Sequence, residues 1–526
     1  MPSSPEIVGF VPSQVLTPGA FAHPVTRLEF RETHISWIVL TGPFVYKIKK
    51  PLRLEFLDAS TLTLRQRLCE EELRLNRRLA ADLYVSVEPI TQEGATVRIG
   101  GAGRILDYAV CMKQFDASQE LASLLDADAV SGAEISALAL RLADFHAAAP
   151  RAPPDPGFPH SDQLQALVLG NLATLLAHLG DTEALPELGR LIDWTHDELG
   201  RLRTALRGRE QHGFVRECHG DLHAGNIVRW GGSLVPFDCL EFDPKLRWID
   251  VMNDVAFLVM DLCSHRRTDL ASAFLNAYLE RSGDYPGVRL LRFYSVYRAL
   301  VRAMVDSLEA QGGLAQCGLA QGSAPRGEPA RGRLRRRVET AARFMDHAPP
   351  MLILMHGVSG SGKSWLSERI ALKLGAVRIR SDVERQRLAG PAPDPARYSP
   401  AFSRRTYARL LECAAQCLRG GFDTLVDAAF LQAEERRRFE SLAAAERARH
   451  LILSCAADPA ELERRVSERR RAQSDVSEAD LAVLARQTRT AEPLDASERP
   501  HAIIIDTAAP QALDTAIRAI GARRVA

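Results

Sequence analysis

The sequence predicts two folds in tandem, an α+β, two-lobed first part and an α/β second part built on a parallel sheet. Three observations carry this. Up to residue 115, short alternating segments rich in β-branched residues dominate, and from 118 onward the chain is mainly helical, broken by PRAPPDPGFP at 150–159. After residue 350, apolar strands and helices alternate, which implies parallel strands joined by crossover helices. Between the two patterns lies 311–330, QGGLAQCGLAQGSAPRGEPA, whose Gly, Ala, Gln and Pro content reads as a linker. The domain boundary falls just before the strand MLILMH, giving 1–348 and 349–526.

Taken in order, THISWIVL (33–40) and FVYKIK (44–49) are strands around Thr41-Gly42-Pro43. A helix over 60–80 follows, with Ser60 as its N-cap, then strands at 83–90 and 104–115. The basic run Arg331–Arg337 opens a helical pattern that stops at Pro349-Pro350. Without interleaved aromatics it reads as a solvated helix face rather than a nucleic-acid patch. In the second part strands are expected at 351–356, 376–380, 423–427, 450–455 and 502–506.

Composition narrows the function. Hydrophobic residues at 46% and charged residues at 25% exclude a mainly disordered, collagen-like or rod-like chain. Lys+Arg at 67 against Asp+Glu at 66 gives a net charge of +1, so no nucleic-acid partner is expected from overall charge. The start of the chain has no charged segment leading into an apolar core, so no secretory leader is expected. Apolar stretches such as 164–179 are interrupted by Asn171 and His178, so no membrane span is expected. Nine scattered cysteines without a C-x-x-C pair, Cys413 and Cys417 on one helix face among them, read as reduced, mostly buried thiols of a cytoplasmic protein.

The second part carries Gly357-Val358-Ser359-Gly360-Ser361-Gly362-Lys363-Ser364, a G-x-x-x-x-G-K-[ST] sequence between an apolar strand and a helix. Its backbone N–H groups and the helix N-terminus form an anion cradle. Lys363 reaches the β- and γ-phosphates and Ser364 ligates Mg²⁺. Asp427 ends the strand DTLVD on the ligand side of the sheet, where it can hold Mg²⁺ directly or through water. Asp382, just after the second strand, is the candidate base for an attacking hydroxyl, and its alternative is a helix N-cap. In Glu461–Arg471, Arg465 and Arg469 share a face and can clamp phosphate, while most of the run is a solvated helix. Ser477-x-x-Asp480 reads as a capping box. The stretch 351–506 resembles P-loop kinases of the zeta-toxin and polynucleotide-kinase type. That resemblance implies an ATP-Mg²⁺ site at Lys363 and Ser364, Asp382 as base, Arg385 on substrate or phosphate, and an Arg464–Arg471 lid. Trp365 stands where that family has a small residue.

The first part carries His219-Gly220-Asp221-Leu222-His223-Ala224-Gly225-Asn226, then the strand Leu234–Phe237 leading into Asp238. This is H-x-D-x-x-x-x-N followed by an acid on a hairpin. Asp221 accepts or orients a hydroxyl proton, Asn226 gives Mg²⁺ a neutral oxygen, and Asp238 binds Mg²⁺. His219 is expected to brace the loop and His223 to be a loop residue. With Gly220 at its second position, the motif resembles the aminoglycoside phosphotransferase family, a branch of the protein-kinase-like fold, over 25–310. The resemblance assigns Asp250 and Asp254 as structural acids behind the loop and Asp144-Phe145-His146 to the helix before it. It also calls for a phosphate-binding lysine, Lys47 with Lys49 as alternative, and a helix glutamate partner, Glu72 out of Glu70-Glu71-Glu72. No G-x-G-x-x-G precedes Lys47; only Thr41-Gly42-Pro43 is available.

The two resemblances imply an α+β two-lobed kinase-like domain followed by an α/β P-loop NTPase domain with a parallel sheet. The function they imply is ATP- and Mg²⁺-dependent phosphoryl transfer to hydroxyls of small-molecule acceptors at two modules. The competing expectations are a nucleotide sensor with one non-catalytic module and a nucleic-acid end kinase in the second part.

Overall fold

The alternating segments at the start of the chain pair into one antiparallel sheet in the computed structural model, which describes residues 10–54, 57–153, 160–179, 186–310, 330–390, 395–472 and 480–525. The strands are β1 (Glu29–Glu32), β2 (Ser36–Leu40), β3 (Phe44–Lys49), β4 (Tyr84–Glu93), β5 (Thr96–Ile99) and β6 (Arg104–Lys113), in the order β1-β2-β3-β6-β4-β5. Sequence reading missed β1 and β5. Both are four-residue edge strands, and β1 (EFRE) lacks the apolar alternation of a strand with a buried face.

The helix Leu62–Ala80 lies against this sheet. Its buried residues Arg65, Cys69, Glu72, Asn76 and Leu79 recur every three or four positions, so Glu72, not Glu70 or Glu71, faces inward. The N-cap is Thr61, whose hydroxyl accepts from Leu64 N at 3.3 Å, rather than Ser60. Ser60 Oγ is engaged instead by the Asp58 carboxylate at 2.5 Å.

The second lobe holds two small antiparallel pairs. β8 (Ile227–Trp230) pairs with β9 (Ser233–Pro236), and β7 (Val215–Glu217) with β10 (Trp248–Asp250). Behind them the helix Val251–Ser264 is buried on nearly every side.

The strands β11 (Met351–His356), β12 (Val377–Arg380), β13 (Thr424–Asp427), β14 (Arg449–Ala456) and β15 (Ala502–Asp506) form a parallel sheet in the order β12-β13-β11-β14-β15. One face packs Ile353, Met355, Leu366, Ile370 and Leu453 into a closed apolar core.

The chain divides into two compact units. The first takes the chain up to Glu134, Phe145–His265 and Phe293–Ala342; the second takes Ile135–Asp144, Arg266–Arg292 and the chain from Arg343. The helix Thr268–Ser282 precedes residue 348 yet packs within the second unit. Its Asn276 Oδ1 accepts from Arg378 N of the edge strand β12 at 2.7 Å, covering a backbone donor that an open sheet edge would expose.

The linker expected at 311–330 lies, but for its last residue, outside the described residues. The arginine run that follows it sits in the helix Ala330–Met345 and is not simply a solvated face. Arg335 is exposed and pairs with Glu339, but Arg333 and Arg337 are buried against acids of the first unit. Among the described residues no helix is long and apolar enough to cross a membrane, and the cysteines are free and buried except the partly buried Cys263.

Candidate active sites

The first site is assembled from four places in the chain. Lys47 and Lys49 alternate onto one face of β3. Lys47 Nζ lies 3.0 Å from Glu72 Oε1 and 2.7 Å from Asp238 Oδ1. Lys49 Nζ lies 2.5 Å from Glu72 Oε2 and also pairs with Glu241. The structure thus separates the two lysines: Lys47 touches the expected metal ligand, and Lys49 is spent on two buried glutamates. Burial would lower the Lys47 ammonium, but Asp238, then Glu72 and Glu241, outweigh it and hold it above its usual value. Burial would raise Glu72, yet Lys47 and Lys49 hold it at about 2.

Asp238 follows β9 in a left-handed conformation (φ 62°), an uncommon one for a side-chain-bearing residue. Two contacts from the helix–sheet lobe fix the turn. Asp238 N donates to Tyr84 Oη at 3.1 Å, and Cys239 N donates to Asn76 Oδ1 at 2.8 Å.

The loop 219–226 is held from behind. Asp254 accepts from His219 N at 2.7 Å and Gly220 N at 2.9 Å, and its Oδ2 lies 3.3 Å from His146 Nε2. Asp254 thus stands behind the loop, with His146 reaching it from the helix Gly132–Ala148, and Asp250 pairs with Arg209 and caps the helix Val251–Ser264. Gly220 has φ 88°, and a Cβ there would stand 2.7 Å from Leu246 O, so the loop closes on the backbone only with glycine. His219 is the expected brace: its Nε2 donates to Phe237 O at 2.9 Å and its Nδ1 accepts from Asp221 N at 3.3 Å. Burial depresses its basicity, which agrees with that neutral tautomer.

Asn226 Nδ2 donates to Asp221 O at 3.0 Å and Asp221 Oδ2 at 2.9 Å, leaving the amide oxygen for a cation. Two hard oxygen donors, this amide and the Asp238 carboxylate, suit Mg²⁺. His223 is more than a loop residue. Its Nδ1 accepts from Gly225 N at 3.0 Å and its Nε2 lies 3.4 Å from Asp221 Oδ2 and 3.3 Å from Arg302 Nη1. Burial would raise Asp221, but His223, then Arg302 and His219, hold it at about 2, so it stands ionised.

Thr41-Gly42-Pro43 is the turn between β2 and β3. The turn at the other end of β2, beside Lys49, is Thr33-His34-Ile35, where Thr33 Oγ1 accepts from Ser36 N at 3.0 Å. It contains no glycine. Glu241, Tyr84, Asn76 and Arg302 had no motif to flag them; only the helical period, in step with Glu72, pointed at Asn76.

The second site opens at the C-terminal end of the parallel sheet. A cavity of about 710 Å³ is lined by Gly360, Lys363, Ser364, Asp382, Asp427 and Arg465, with Arg385 and Arg469 also on its walls. Of the expected loop residues, Ser359, Gly360 and Gly362 to Ser364 lie on this space, and Gly357, Val358 and Ser361 do not. Gly360 has φ 81°, and a Cβ there would stand 2.7 Å from Leu462 O, so the cradle cannot carry a side chain at that point. Lys363 Nζ donates to Val358 O at 2.7 Å, folded onto its own loop. Burial lowers its pKa, against the pull of Asp427.

Asp427 Oδ2 accepts from Ser367 Oγ at 3.0 Å, one turn after Ser364. Asp382 lies in the first turn of the helix Ser381–Ala389, whose N-cap is Arg380, so the cap alternative fails, and Asp382 is one of the residues that line the cavity. Arg385 donates to Arg397 O at 3.1 Å and lies 5.5 Å from the Tyr398 ring centroid. Arg465 donates to Thr507 Oγ1 at 2.9 Å and reaches Gly360 O at 3.4 Å, a brace on the phosphate loop. Arg464 pairs outward with Glu461 and Glu468. Ser477 lies outside the described residues, and Asp480 alone caps the helix Leu481–Thr490. Thr507, Ser367 and Gln487, whose Oε1 accepts from Ser359 N at 2.7 Å, were not foreseen.

Comparison with known proteins places both units. Residues 58–291 match the model of the phosphotransferase enzyme family, and residues 352–494 match an AAA domain model. The chain is 31% identical over 479 residues to the uncharacterized protein Rv2004c of Mycobacterium tuberculosis, covering 88% of this chain and 91% of the relative, and equally to Mb2027c of Mycobacterium bovis. A solved choline/ethanolamine kinase family protein of Mesorhizobium loti is similar at 12% identity and TM-score 0.37, over 64% of this chain and 92% of its own. The Mycobacterium tuberculosis APS kinase CysC is similar at 19% identity and TM-score 0.26, over 34% of this chain and 99% of its own.

Proposed function

The chain belongs to the family that includes Rv2004c of Mycobacterium tuberculosis, and from that premise we propose that it is an ATP-dependent kinase with two working sites. Each site moves the γ-phosphoryl of ATP to a hydroxyl of a small-molecule acceptor. The observation that carries this reading is the convergence of Lys47, Glu72 and Asp238 in one cluster, with Asp221 tied to Asn226 on the loop beside it.

At the first site Lys47 holds the α- and β-phosphates and Glu72 fixes Lys47. Asp238 and the Asn226 amide oxygen would hold Mg²⁺, which supplies charge neutralisation on the phosphates. Asp221 takes the proton of the acceptor hydroxyl while the acceptor oxygen bonds to the γ-phosphorus. The bond to the β–γ bridging oxygen breaks, and ADP leaves. At the second site Lys363 leaves Val358 O for the phosphates, Ser364 and Asp427 would hold Mg²⁺, Asp382 takes the acceptor proton, and Arg385 binds substrate or phosphate, while Arg465, expected on phosphate, acts through the loop it braces.

Isothermal titration with Mg²⁺ and a non-hydrolysable ATP analogue tests the claim of two sites. Wild type takes up two nucleotides per chain, and Lys363→Ala and Lys47→Ala one each; a wild-type stoichiometry of one refutes it. The glycine-free turn Thr33-His34-Ile35 favours a second reading, a first site that binds nucleotide without turnover. Asp221→Asn separates the two, because a sensor keeps its function and a kinase loses it.

A further inference from the structure

The buried arginines of the helix Ala330–Met345 end at the catalytic loop of the first site. Arg333 Nε lies 2.9 Å from Asp306 Oδ1. One turn later, Arg337 Nη1 lies 2.6 Å from Asp261 Oδ1 and donates to Ser264 Oγ at 2.9 Å. The other oxygen of Asp261 accepts from Ala224 N at 2.9 Å. Ala224 opens the short turn Ala224–Asn226, so a single carboxylate joins this helix to the residue pair that carries the base and the amide ligand. All the groups are enclosed: Asp261 is 2% exposed and Arg337 5%. Burial would raise Asp261, but Arg337, ahead of His265, His223 and Arg302, holds it well below the usual carboxylate range. A carboxylate kept ionised in this way is a firm acceptor for the Ala224 N–H.

We propose that Arg337 is a positioning residue of the first site, acting through Asp261 on the turn between Asp221 and Asn226. The proposal rests on the reading of that loop as catalytic. The helix lies beyond residues 311–329 and leads directly into β11 and the phosphate loop. The first unit therefore extends past residues 311–329 to Ala342, and a cut before residue 330 removes Arg337 from the first site. Arg333 anchors the helix; Arg337 sets the loop.

The test uses the full chain carrying Lys363→Ala, which leaves only the first site. Two quantities are read per folded molecule: Asp221-dependent hydrolysis of Mg²⁺·ATP with water as acceptor, and Mn²⁺ affinity in the presence of a non-hydrolysable ATP analogue, followed by electron paramagnetic resonance. Arg337→Met is expected to lower turnover at least ten-fold and to weaken Mn²⁺ binding at least three-fold, since Asn226 moves with the turn. Arg337→Lys is expected to restore most of both, and Arg335→Ala, on the exposed side of the helix, to change neither. A merely structural arginine would lower the melting temperature and leave both quantities unchanged per folded molecule, and that result overturns the proposal. If the parent shows no Asp221-dependent turnover, the kinase reading of the first site fails. The Mn²⁺ affinities then decide the positioning claim alone, equal values for Arg337→Met and parent overturning it.

Discussion

Replacing Lys49 by Met tests the division of labour between the two lysines of β3. Lys49 is fully buried between Glu72 and Glu241, and its ammonium is the nearest cation to Glu241. Without it, Glu72, Asp238 and Glu241 are left with Lys47 as the one cation of the cluster. Removing one partner of a buried pair costs about 3–5 kcal/mol, because the other charge stays buried. At ~2–4 °C per kcal/mol the melting transition of the first unit falls by about 10 °C. The deficit depends on pH in a definite direction. Burial, with Glu72 adding to it, holds the folded-state pKa of Glu241 above its unfolded value of 4.5, despite Lys49. A raised carboxylate pKa contributes stability that is fully present below 4.5 and is lost as pH rises through the folded value. Deleting Lys49 pushes that value further up. The deficit is therefore large at pH 8 and shrinks at pH 5, where Glu241 takes up a proton. Calorimetry of wild type and variant at both pH values reads it. A variant as stable as wild type at pH 8, or a deficit equal at the two pH values, refutes the reasoning. The same variant, assayed below its transition, still binds nucleotide at the first site, whereas Lys47→Ala does not.

Other outcomes follow from the same geometry. Asp221→Asn lowers turnover at the first site by roughly 10²–10⁴-fold with nucleotide affinity unchanged, read by steady-state kinetics and titration calorimetry. Asp221 titrates at about 2 in the folded chain, so its ionised, working form persists above that pH and the acid limb of the first-site rate profile lies below pH 4; a limb above pH 5 contradicts its assignment as base. Asp254→Ala leaves the buried His219 and Gly220 N–H groups without their acceptor and costs about 2–4 kcal/mol in chemical denaturation. Gly360→Ala drives a Cβ onto Leu462 O and abolishes nucleotide binding at the second site while sparing the first.

What could be read from the sequence was local chemistry and local period. Both phosphate-handling motifs announce themselves because the chemistry demands fixed residue types at fixed spacing, and the strands of the parallel sheet carry short apolar stretches such as Met351–Met355, Leu451–Leu453 and Ile503–Ile505. Glu72 was distinguishable from its neighbours by its step with Cys69 and Leu79. Long-range docking had no such signature. Nothing in the sequence of Thr268–Ser282 marks it as the cover of a sheet edge formed a hundred residues later. Arg333 and Arg337 look like Arg335 in a list of charges; only Leu334, Val338 and Ala341 beside them hint at a buried stripe. The one-residue error at Ser60 arose because Ser60 and Thr61 are equally good caps until Asp58 takes the serine hydroxyl.

The claim that one chain carries two phosphotransferase sites is tested most directly by its products. Wild type, Asp221→Asn, Lys363→Ala and the double variant are incubated with Mg²⁺·ATP and a metabolite extract, and phosphorylated species are read by mass spectrometry. Two sites predict two sets of products, one lost in Asp221→Asn, the other in Lys363→Ala, and both in the double variant. ATP left intact in every extract by a wild-type chain that still binds nucleotide contradicts the account.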